Sequence, residues 1–146
     1  MIATALSMKG HLAYRQKRLN PMLGLSQAAQ RDTRVSPGVR ALAVQQEARA
    51  WALMGEREMT ERRLDTAFVL AEQSMCRADD EPPWVYFYSS EYFLMQRGRA
   101  YRYLGRFDEA AELLEDGLNA LAPELRSAEW AEGYHADLRA VRQRLR

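Results

Sequence analysis

The stretch that decides the fold runs from Glu91 to Glu124 and reads EYFLMQRGRAYRYLGRFDEAAELLEDGLNALAPE. Its small and large residues recur at the intervals of a helix–turn–helix repeat unit 34 residues long. Pro123 closes the second helix. A repeat unit of this kind cannot bury its apolar face alone, so the pattern predicts stacked neighbouring units. The residues that carry the pattern are Gly98, Tyr101, Gly105, Ala110, Leu114 and Gly117.

The same intervals recur twice upstream. In the clear unit the turn residue Gly105 follows Gly98 by seven residues, and Gly117 follows Gly98 by nineteen. Small residues at these positions let the two helices of a pair approach closely. We therefore predict units over about 3–36, 41–74 and 91–124. The matching upstream residues are Ala48, Gly55 and Ala67 in the second unit and Gly10 and Ala29 in the first.

The first unit has no turn glycine. Its predicted turn is Lys17–Pro21, and Pro21 fits a helix start because proline at the first turn of a helix loses no hydrogen bond. The chain has no alternating Val/Ile/Thr runs, so we predict no sheet. The expected fold is all-α: a right-handed α-solenoid of about three helix pairs plus a C-terminal capping helix, about seven helices forming a single domain over 1–146.

The segment between the second and third units reads MCRADDEPPWVYFYSS over residues 75–90. Because proline breaks a helix and restricts the residue before it, we predict a loop over about 75–83, with 84–88 leading into a long helix. Cys76 is expected to be a small packing residue. The aromatic side chains Trp84, Tyr86 and Tyr88 either pack between helices or form an exposed interface.

The last segment predicts a capping helix over about 126–146. Apolar residues recur there at helical spacing, and Ser127 is a reasonable N-cap. Four arginines cluster at its end, where they favour the helix dipole; contact with nucleic acid is the alternative. The apolar face, whose Trp130 and Tyr134 are candidate interface residues, comprises Trp130, Tyr134, Leu138, Val141 and Leu145, and the arginines are Arg139, Arg142, Arg144 and Arg146.

Composition excludes several classes of protein. The formal net charge is +1, so the chain has no general attraction to nucleic acid or to anionic membranes. A single cysteine gives neither a disulfide framework nor a thiolate metal site, and it favours a cytoplasmic location. No run approaches the roughly 20 apolar residues of a membrane span. His11 and His135 lie in different units without spaced ligands, so we expect no metal, no cofactor and no enzyme activity.

Taken together, the repeats resemble one protein group. The segments VSPGVRALAVQQEARAWALMGE, EPPWVYFYSSEYFLMQRGRAYRYLGR and FDEAAELLEDGLNAL are similar to the C-terminal tetratricopeptide-type (TPR) region of actinobacterial helix-turn-helix (XRE-like) transcriptional regulators. The resemblance implies a sensing or dimerising part. Such regulators carry an N-terminal DNA-binding domain, and no such segment fits before residue 41. The first helix begins at residue 2 or 3 without an N-cap, as expected of the end of something longer.

In a tetratricopeptide stack, the first helix of each pair lines a concave groove. Because arginine binds carboxylates through two parallel hydrogen bonds, we expect the groove to take an acidic or carboxylate-bearing protein or peptide. A solvated arginine face paired with local glutamates is the alternative. Arg99, Arg102 and Arg106 should share one helix face. The predicted groove residues are His11, Tyr14, Arg15, Gln45, Arg49, Met95, Arg99, Arg102 and Tyr103.

Two further functions remain open. The chain is either a homodimerisation or scaffold domain without a ligand, or a nucleic-acid binder that uses its arginine-rich C-terminal end. The near-neutral net charge argues against the second of these. Neither the chaperone-binding clamp nor a pheromone-type peptide site fits, because the groove offers no asparagine.

Overall fold

The computed structural model describes residues 2–87 and 89–146, without the side chains of Tyr86 and Phe87. Within these residues the chain is all-helical and contains no strand, which confirms the predicted all-α class. Eight α-helices are present there, one more than predicted. They are α1 (Ile2–Arg15), α2 (Leu19–Ala28), α3 (Pro37–Leu53), α4 (Arg57–Cys76), α5 (Ser90–Tyr103), α6 (Phe107–Ala120), α7 (Pro123–Arg126) and α8 (Glu132–Arg144).

The chain divides into two compact bodies, Met1–Tyr88 and Ser89–Arg146. The N-terminal body holds α1 to α4, and the C-terminal body holds α5 to α8. The pairs α1–α2, α3–α4 and α5–α6 correspond to the three predicted repeat units, although α3 begins four residues before the second unit and α4 ends two residues after it. The two helices of each pair pack against each other. The single domain over 1–146 stays a prediction.

All three helix pairs are joined by the same turn. The residue seven positions after the small residue has a positive φ in each pair: 57° at Lys17, 79° at Gly55 and 77° at Gly105. A left-handed residue at a helix end, with a hydrogen bond spanning five residues, is the Schellman motif. The shared turn confirms the predicted turn glycines Gly55 and Gly105. In the first pair the helices are joined at Gln16–Arg18, so the predicted turn Lys17–Pro21 extends too far and Pro21 lies in the first turn of α2. The spanning bonds run from Arg18 N to Ala13 O, Glu56 N to Trp51 O and Arg106 N to Tyr101 O, each 2.9 Å.

Small residues bring α5 and α6 into close contact, as predicted. A Cβ atom added to Gly98 would lie 2.8 Å from Cγ of Leu114 and 3.2 Å from the carbonyl oxygen of Ala110. A Cβ atom added to Gly117 would lie 2.5 Å from Cγ of Met95. Both distances are below van der Waals contact, so glycine is required at this helix crossing.

Helix α3 forms the centre of the N-terminal body because α1, α2 and α4 all pack against it. Pro37 occupies the first turn of α3, where its missing N–H is no loss. The preceding Ser36 makes no side-chain capping bond. Instead, Oε1 of Glu81 accepts a hydrogen bond from the backbone N–H of Gly38 at 2.8 Å. The acidic segment after α4 therefore caps the start of α3.

The segment after α4, which belongs to the N-terminal body, differs from its prediction. Helix α4 continues through Cys76, and the chain then makes 3-10 turns at Ala78–Asp80 and Pro83–Phe87. No long helix includes residues 84–87, because Ser89 caps a separate helix by accepting a bond from Tyr92 N at 3.5 Å. Cys76 is exposed, so its prediction as a packing residue is wrong.

The predicted capping helix is also divided. Pro123 begins α7 rather than merely ending α6, and Ser127 lies at the C-terminal end of α7, so its prediction as an N-cap is wrong. The break has a physical cause at Arg126, whose guanidinium donates to the carbonyl oxygens of Leu118 at 2.9 Å and Leu121 at 3.1 Å. These bonds satisfy the last carbonyls of α6 and hold the chain beside it.

Helix α8 covers the last helix pair, as a terminal helix of a repeat protein must. It packs against both α5 and α6. Tyr134, Leu138 and Val141 are buried on its inner face, which confirms the central part of the predicted apolar stripe. Trp130 lies before the helix in a 3-10 turn and Leu145 lies after it, and both are exposed.

Candidate ligand-binding site

The predicted groove residues differ widely in their exposure. In the N-terminal body His11 and Arg15 are exposed, Tyr14 is half-buried, and Gln45 and Arg49 are buried. In the C-terminal body Arg99, Arg102 and Tyr103 are half-buried, and Met95 is fully buried. A ligand can therefore reach His11 and Arg15 most readily.

The structure brings together the predicted residues of α1 and α3. The guanidinium carbon of Arg49 lies 4.8 Å from the ring centroid of Tyr14, within the range of a cation–π contact. The His11 ring lies 5.9 Å from the same tyrosine ring. Tyr14 thus lies between a buried cation on α3 and an exposed imidazole on α1. Arg49 fixes the tyrosine and does not itself face solvent.

The surface around His11 and Arg15 is basic over a long stretch of sequence. Residues 1–31 contain five basic residues and no aspartate or glutamate. Basic residues without acidic residues in the same segment favour anions, and the whole-chain net charge of +1 hides this asymmetry. A count of charges by segment reveals it from the sequence alone. The basic residues are Lys9, Arg15, Lys17, Arg18 and Arg31, and all five are exposed.

Polar side chains on α3 are buried because helices surround it on three sides. Nε2 of Gln46 donates to Oγ of Ser26 at 2.9 Å and to the carbonyl oxygen of Ser7 at 3.2 Å. These bonds link α3 to both α1 and α2. Gln45 is also buried, so its prediction as a groove residue is wrong.

Glu47 is a buried carboxylate that the sequence did not single out. Its oxygens accept hydrogen bonds from Nε2 of Gln30 at 2.7 Å, Nε2 of Gln27 at 3.3 Å and Nε1 of Trp51 at 3.2 Å. The neutral donors satisfy the carboxylate and tie α2 to α3. The arrangement is a structural clasp, since the carboxylate is shielded from any ligand.

In the C-terminal body, two predicted groove arginines bind a carboxylate of α8. Nε of Arg99 donates to Oδ2 of Asp137 at 2.5 Å, and Nη1 of Arg102 donates to Oδ1 at 3.1 Å. The guanidinium of Arg99 also lies 4.4 Å from the ring centroid of Tyr134. The pairing differs from the alternative drawn from the sequence, because the partner is an aspartate of another helix rather than a local glutamate, and both arginines are half-buried. Asp137, which sequence reasoning missed, therefore neutralises this part of the predicted groove.

The electrostatics of this cluster keep Arg99 charged. Burial lowers the pKa of Arg99, but the neighbouring Tyr134 and Asp137 outweigh burial, so its pKa is raised above the ordinary value. A half-buried guanidinium with a carboxylate partner is a stable ion pair as long as both members remain. The cluster fastens α8 to α5.

Met95 and Arg106 contradict their predicted roles. Met95 packs against Gly117 at the crossing of α5 and α6, so it cannot contact a ligand. Arg106 lies beyond the end of α5, where its guanidinium pairs with Glu109 and stacks 4.0 Å from the ring centroid of Tyr101. The prediction of one helix face shared by three arginines is therefore wrong for Arg106. Tyr103 lies 5.5 Å from the guanidinium of Arg102.

The predicted interface residues with described side chains differ in their exposure. Trp84 and Trp130 are partly exposed, whereas Tyr134 is buried and hydrogen-bonded to Gln96. Tyr88 and the side chain of Tyr86 lie outside the described residues, so their roles stay predictions.

The arginines at the C-terminal end are largely engaged within the C-terminal body. Arg139 pairs with Glu132 at 2.6 Å, and Arg142 pairs with Glu115 of α6. Arg144 lies 5.9 Å from the ring centroid of Phe107. These pairings favour the structural interpretation of the cluster over nucleic-acid contact.

Neither a metal centre nor a membrane span is found in the part of the chain that the structure describes. No three His, Cys, Asp or Glu residues there are placed to hold a metal ion. None of the described helices combines the length and the apolar character needed to cross a bilayer. Nε2 of His135 donates a hydrogen bond of 2.9 Å to the carbonyl oxygen of Arg126, so its ring supports the chain around α7.

Comparison of the chain with protein-family models, curated proteins and solved structures finds no match.

Proposed function

We propose that this chain is a non-enzymatic tetratricopeptide-type binding module whose N-terminal body takes an acidic or carboxylate-bearing peptide. The observation that carries the proposal is the exposed pair His11 and Arg15 on α1, beside Tyr14, which Arg49 holds from behind at 4.8 Å. This face lies in a segment of 31 residues without a single carboxylate. An anionic ligand meets no carboxylate of this segment there.

The repeat architecture supports this proposal. Three helix pairs built on one turn geometry are what a right-handed α-solenoid requires, and first helices such as α1, α3 and α5 line the concave side of such a stack. Two parallel hydrogen bonds from an arginine to a carboxylate strengthen binding and also fix the orientation of the ligand. We place the ligand site on α1 rather than on α5, because Arg99 and Arg102 of α5 already pair with Asp137.

We further propose that the module is the regulatory part of a cytoplasmic transcriptional regulator. The proposal follows from the resemblance of the inter-repeat segments to those regulators. In that role, peptide binding on α1 would be the input. DNA reading would belong to another domain.

A binding titration tests the ligand class. The probe is a fluorescein-labelled peptide of alternating glutamate and alanine with a free C-terminal carboxylate, and the readout is fluorescence anisotropy. We expect saturable binding that weakens with salt. The variant His11→Glu with Arg15→Glu should weaken binding about tenfold or more, equivalent to about 1.4 kcal/mol.

Arg34→Glu is the control because it makes the same charge change as Arg15→Glu in the same body. Arg34 is exposed and already paired with Asp32 at 2.9 Å. It should leave peptide binding nearly unchanged. A glutamine-for-glutamate peptide should bind weakly. Equal binding of both peptides, or equal loss in both protein variants, would contradict the proposed site.

A further inference from the structure

Two helices of the N-terminal body expose apolar stripes to solvent. Ten large apolar side chains are exposed in the described residues, and six of them lie on α1 and α4. Apolar patches of this kind on a protein surface mark contact sites. The six side chains are Ile2, Met8 and Leu12 on α1 and Phe68, Val69 and Met75 on α4.

The stripe on α1 follows helical spacing. Its residues are Ala5, Met8, Lys9, Leu12 and Gln16, all exposed, with Met8 at 71% and Leu12 at 54%. Positions three and four residues apart lie on one helix face. The opposite face of α1 is buried against α2 and α3. The stripe is therefore a second face of α1, next to the one that carries His11.

The stripe on α4 has the same spacing. Asp65, Phe68, Val69, Glu72 and Cys76 are all exposed, with Phe68 at 40% and Val69 at 51%. The opposite face of α4 is buried against α3. A cleft of about 470 Å³ borders its C-terminal end at Glu72 and Cys76.

The charges of the two stripes are opposite. Lys9 lies in the α1 stripe, within the segment of residues 1–31 that has no carboxylate. Glu72 lies in the α4 stripe, seven residues after Asp65. Contact of an α1 stripe with another α1 stripe would bring lysines together, and contact between two α4 stripes would bring carboxylates together. Only the mixed pairing joins apolar surface and opposite charge at once.

We propose that the α1 stripe of one copy of this chain docks antiparallel on the α4 stripe of a second copy. In the antiparallel register Lys9 lies opposite Glu72, Leu12 opposite Val69, and Ala5 opposite Cys76. A parallel register with the same spacing would place Lys9 opposite Val69 and Leu12 opposite Glu72, which buries charge against apolar surface. The charge pattern therefore selects the antiparallel contact.

This contact is heterologous because it joins two different surfaces. Each copy keeps one stripe of each kind, so copies add in series unless a ring closes. A contact of about three helical turns is smaller than a standard interface of about 1,600 Å², so assembly is weak and depends on concentration. The α1 stripe adjoins the proposed peptide site, since Met8 lies one turn from His11 and Leu12 one turn from Arg15, but the assembly does not depend on peptide binding.

Sedimentation velocity on the full chain tests the assembly. Across a concentration series from low micromolar to near millimolar, the mean mass should rise above the monomer mass of 16.8 kDa. Leu12→Glu should keep the chain monomeric throughout. Leu145→Glu is the matched control, since Leu145 is similarly exposed outside both stripes, and it should assemble like the wild type. A wild-type chain that stays monomeric at every concentration overturns the proposal.

Charge exchange tests the pairing. Lys9→Glu and Glu72→Lys should each abolish assembly when alone, and an equal mixture of the two variants should restore it, because each contact then again joins opposite charges. Circular dichroism should match the wild type for both, as both changes are on exposed positions. If assembly persists in either single variant, or fails to return in the mixture, the two stripes are not partners.

The only cysteine of the chain tests the register. Cys76 is exposed at the end of the α4 stripe. A short bis-maleimide linker joins two cysteines, so the wild type with its single Cys76 can form dimers at most. Ala5→Cys should give a ladder of cross-linked copies, because the new cysteine lies opposite Cys76 of the next copy. Gln16→Cys should give no species larger than a dimer. A ladder from Gln16→Cys instead would contradict the antiparallel contact.

Discussion

The side chain of Arg99 on α5 is fastened to Asp137 on α8 by a hydrogen bond of 2.5 Å from Nε to Oδ2. Both side chains are largely shielded, at 16% and 10% exposed. Breaking a buried pair by removing one partner leaves an uncompensated charge and costs about 3–5 kcal/mol. We therefore expect Asp137→Asn to destabilise the C-terminal body by about that amount in urea denaturation.

A double-mutant cycle separates the pair from its surroundings. Arg99→Gln combined with Asp137→Asn should cost less than the sum of the single changes, because the double variant removes both members of the most buried pair. Asp116→Asn, on an exposed position of α6, is the control and should change the free energy of unfolding by less than about 0.5 kcal/mol. Additive effects would show that the ion pair does not hold α8.

At the left-handed residue of each helix-pair turn, introducing glycine should raise the free energy of unfolding and removing glycine should lower it. Lys17 has φ 57°, a conformation that costs a residue with a Cβ about 1–2 kcal/mol and glycine little. Lys17→Gly should therefore raise the free energy of unfolding by about 1 kcal/mol. Gly55→Ala and Gly105→Ala should lower it by a similar amount. Thermal denaturation followed by circular dichroism measures all three, and stabilisation by Gly105→Ala would show that the turn tolerates a side chain.

Two glycines inside helices separate packing from helix propensity. Gly24 lies in α2 with open space around it, so Gly24→Ala should stabilise the chain by about 0.5–1 kcal/mol. Gly98→Ala gains the same propensity but places a methyl group 2.8 Å from Leu114 Cγ. Overpacking of this kind costs about 1–3 kcal/mol, so the net change should be destabilising. Equal stabilisation by both would refute the close crossing of α5 and α6.

Arg126 should matter more than other surface arginines. Its guanidinium donates to the carbonyl oxygens of Leu118, Asn119 and Leu121 at the end of α6. Arg126→Lys cannot keep three bonds in this geometry, so a loss of about 1–3 kcal/mol in urea denaturation is expected. Arg139→Lys, which changes an exposed pair with Glu132, should cost less than about 1 kcal/mol. A reversed order would mean that α6 does not need this cap.

Glu91 gives the C-terminal body a specific acid sensitivity. The Ser89 hydroxyl and the backbone N–H of Glu91 bond to its carboxylate and hold the pKa of Glu91 below its ordinary value of 4.5. A carboxyl group with a lowered folded-state pKa adds stability above its unfolded pKa, and that stability is lost as pH falls through the folded value. The Glu91→Gln variant should therefore match the wild type at low pH and be less stable at neutral pH. An NMR titration of Glu91 that gives 4.5 or higher would contradict this.

The repeat spacings predicted the helix pairs well because local rules fix them. The interval of seven from Gly98 to Gly105 located the left-handed turn residue in all three pairs, even where Lys17 replaces glycine. Backbone geometry at a helix end depends on neighbouring residues, so a spacing argument reaches it. The close approach at Gly98 followed from the same logic.

Contacts between distant residues were less predictable. Nothing local in the sequence indicates that Glu81 caps α3 from 43 residues away, or that Asp137 lies beside Arg99. Helical spacing places Met95 and Arg99 on the first helix of the third pair, but it does not show which neighbouring side chains bury Met95 or pair with Arg99. The division of the predicted final helix at Arg126 likewise depends on a long side chain that donates hydrogen bonds to carbonyl oxygens of the preceding helix.

The candidate site could have been narrowed further from the sequence. The carboxylate-free segment of residues 1–31 is visible in the printed sequence, and it distinguishes α1 from the arginine-rich but acid-paired α5. The sequence does not show that Arg15 is exposed and Arg49 is buried, because this difference depends on how other helices pack around α1 and α3.

The most direct test of the central claim is an amide chemical-shift footprint of the glutamate–alanine peptide on the isotope-labelled chain. We predict saturable shifts centred on His11 and Arg15 of α1, with smaller shifts near Arg49 and none centred on Asp137. Shifts confined to α5 and α8, or no shifts at peptide saturation, would contradict a carboxylate-binding site in the N-terminal body.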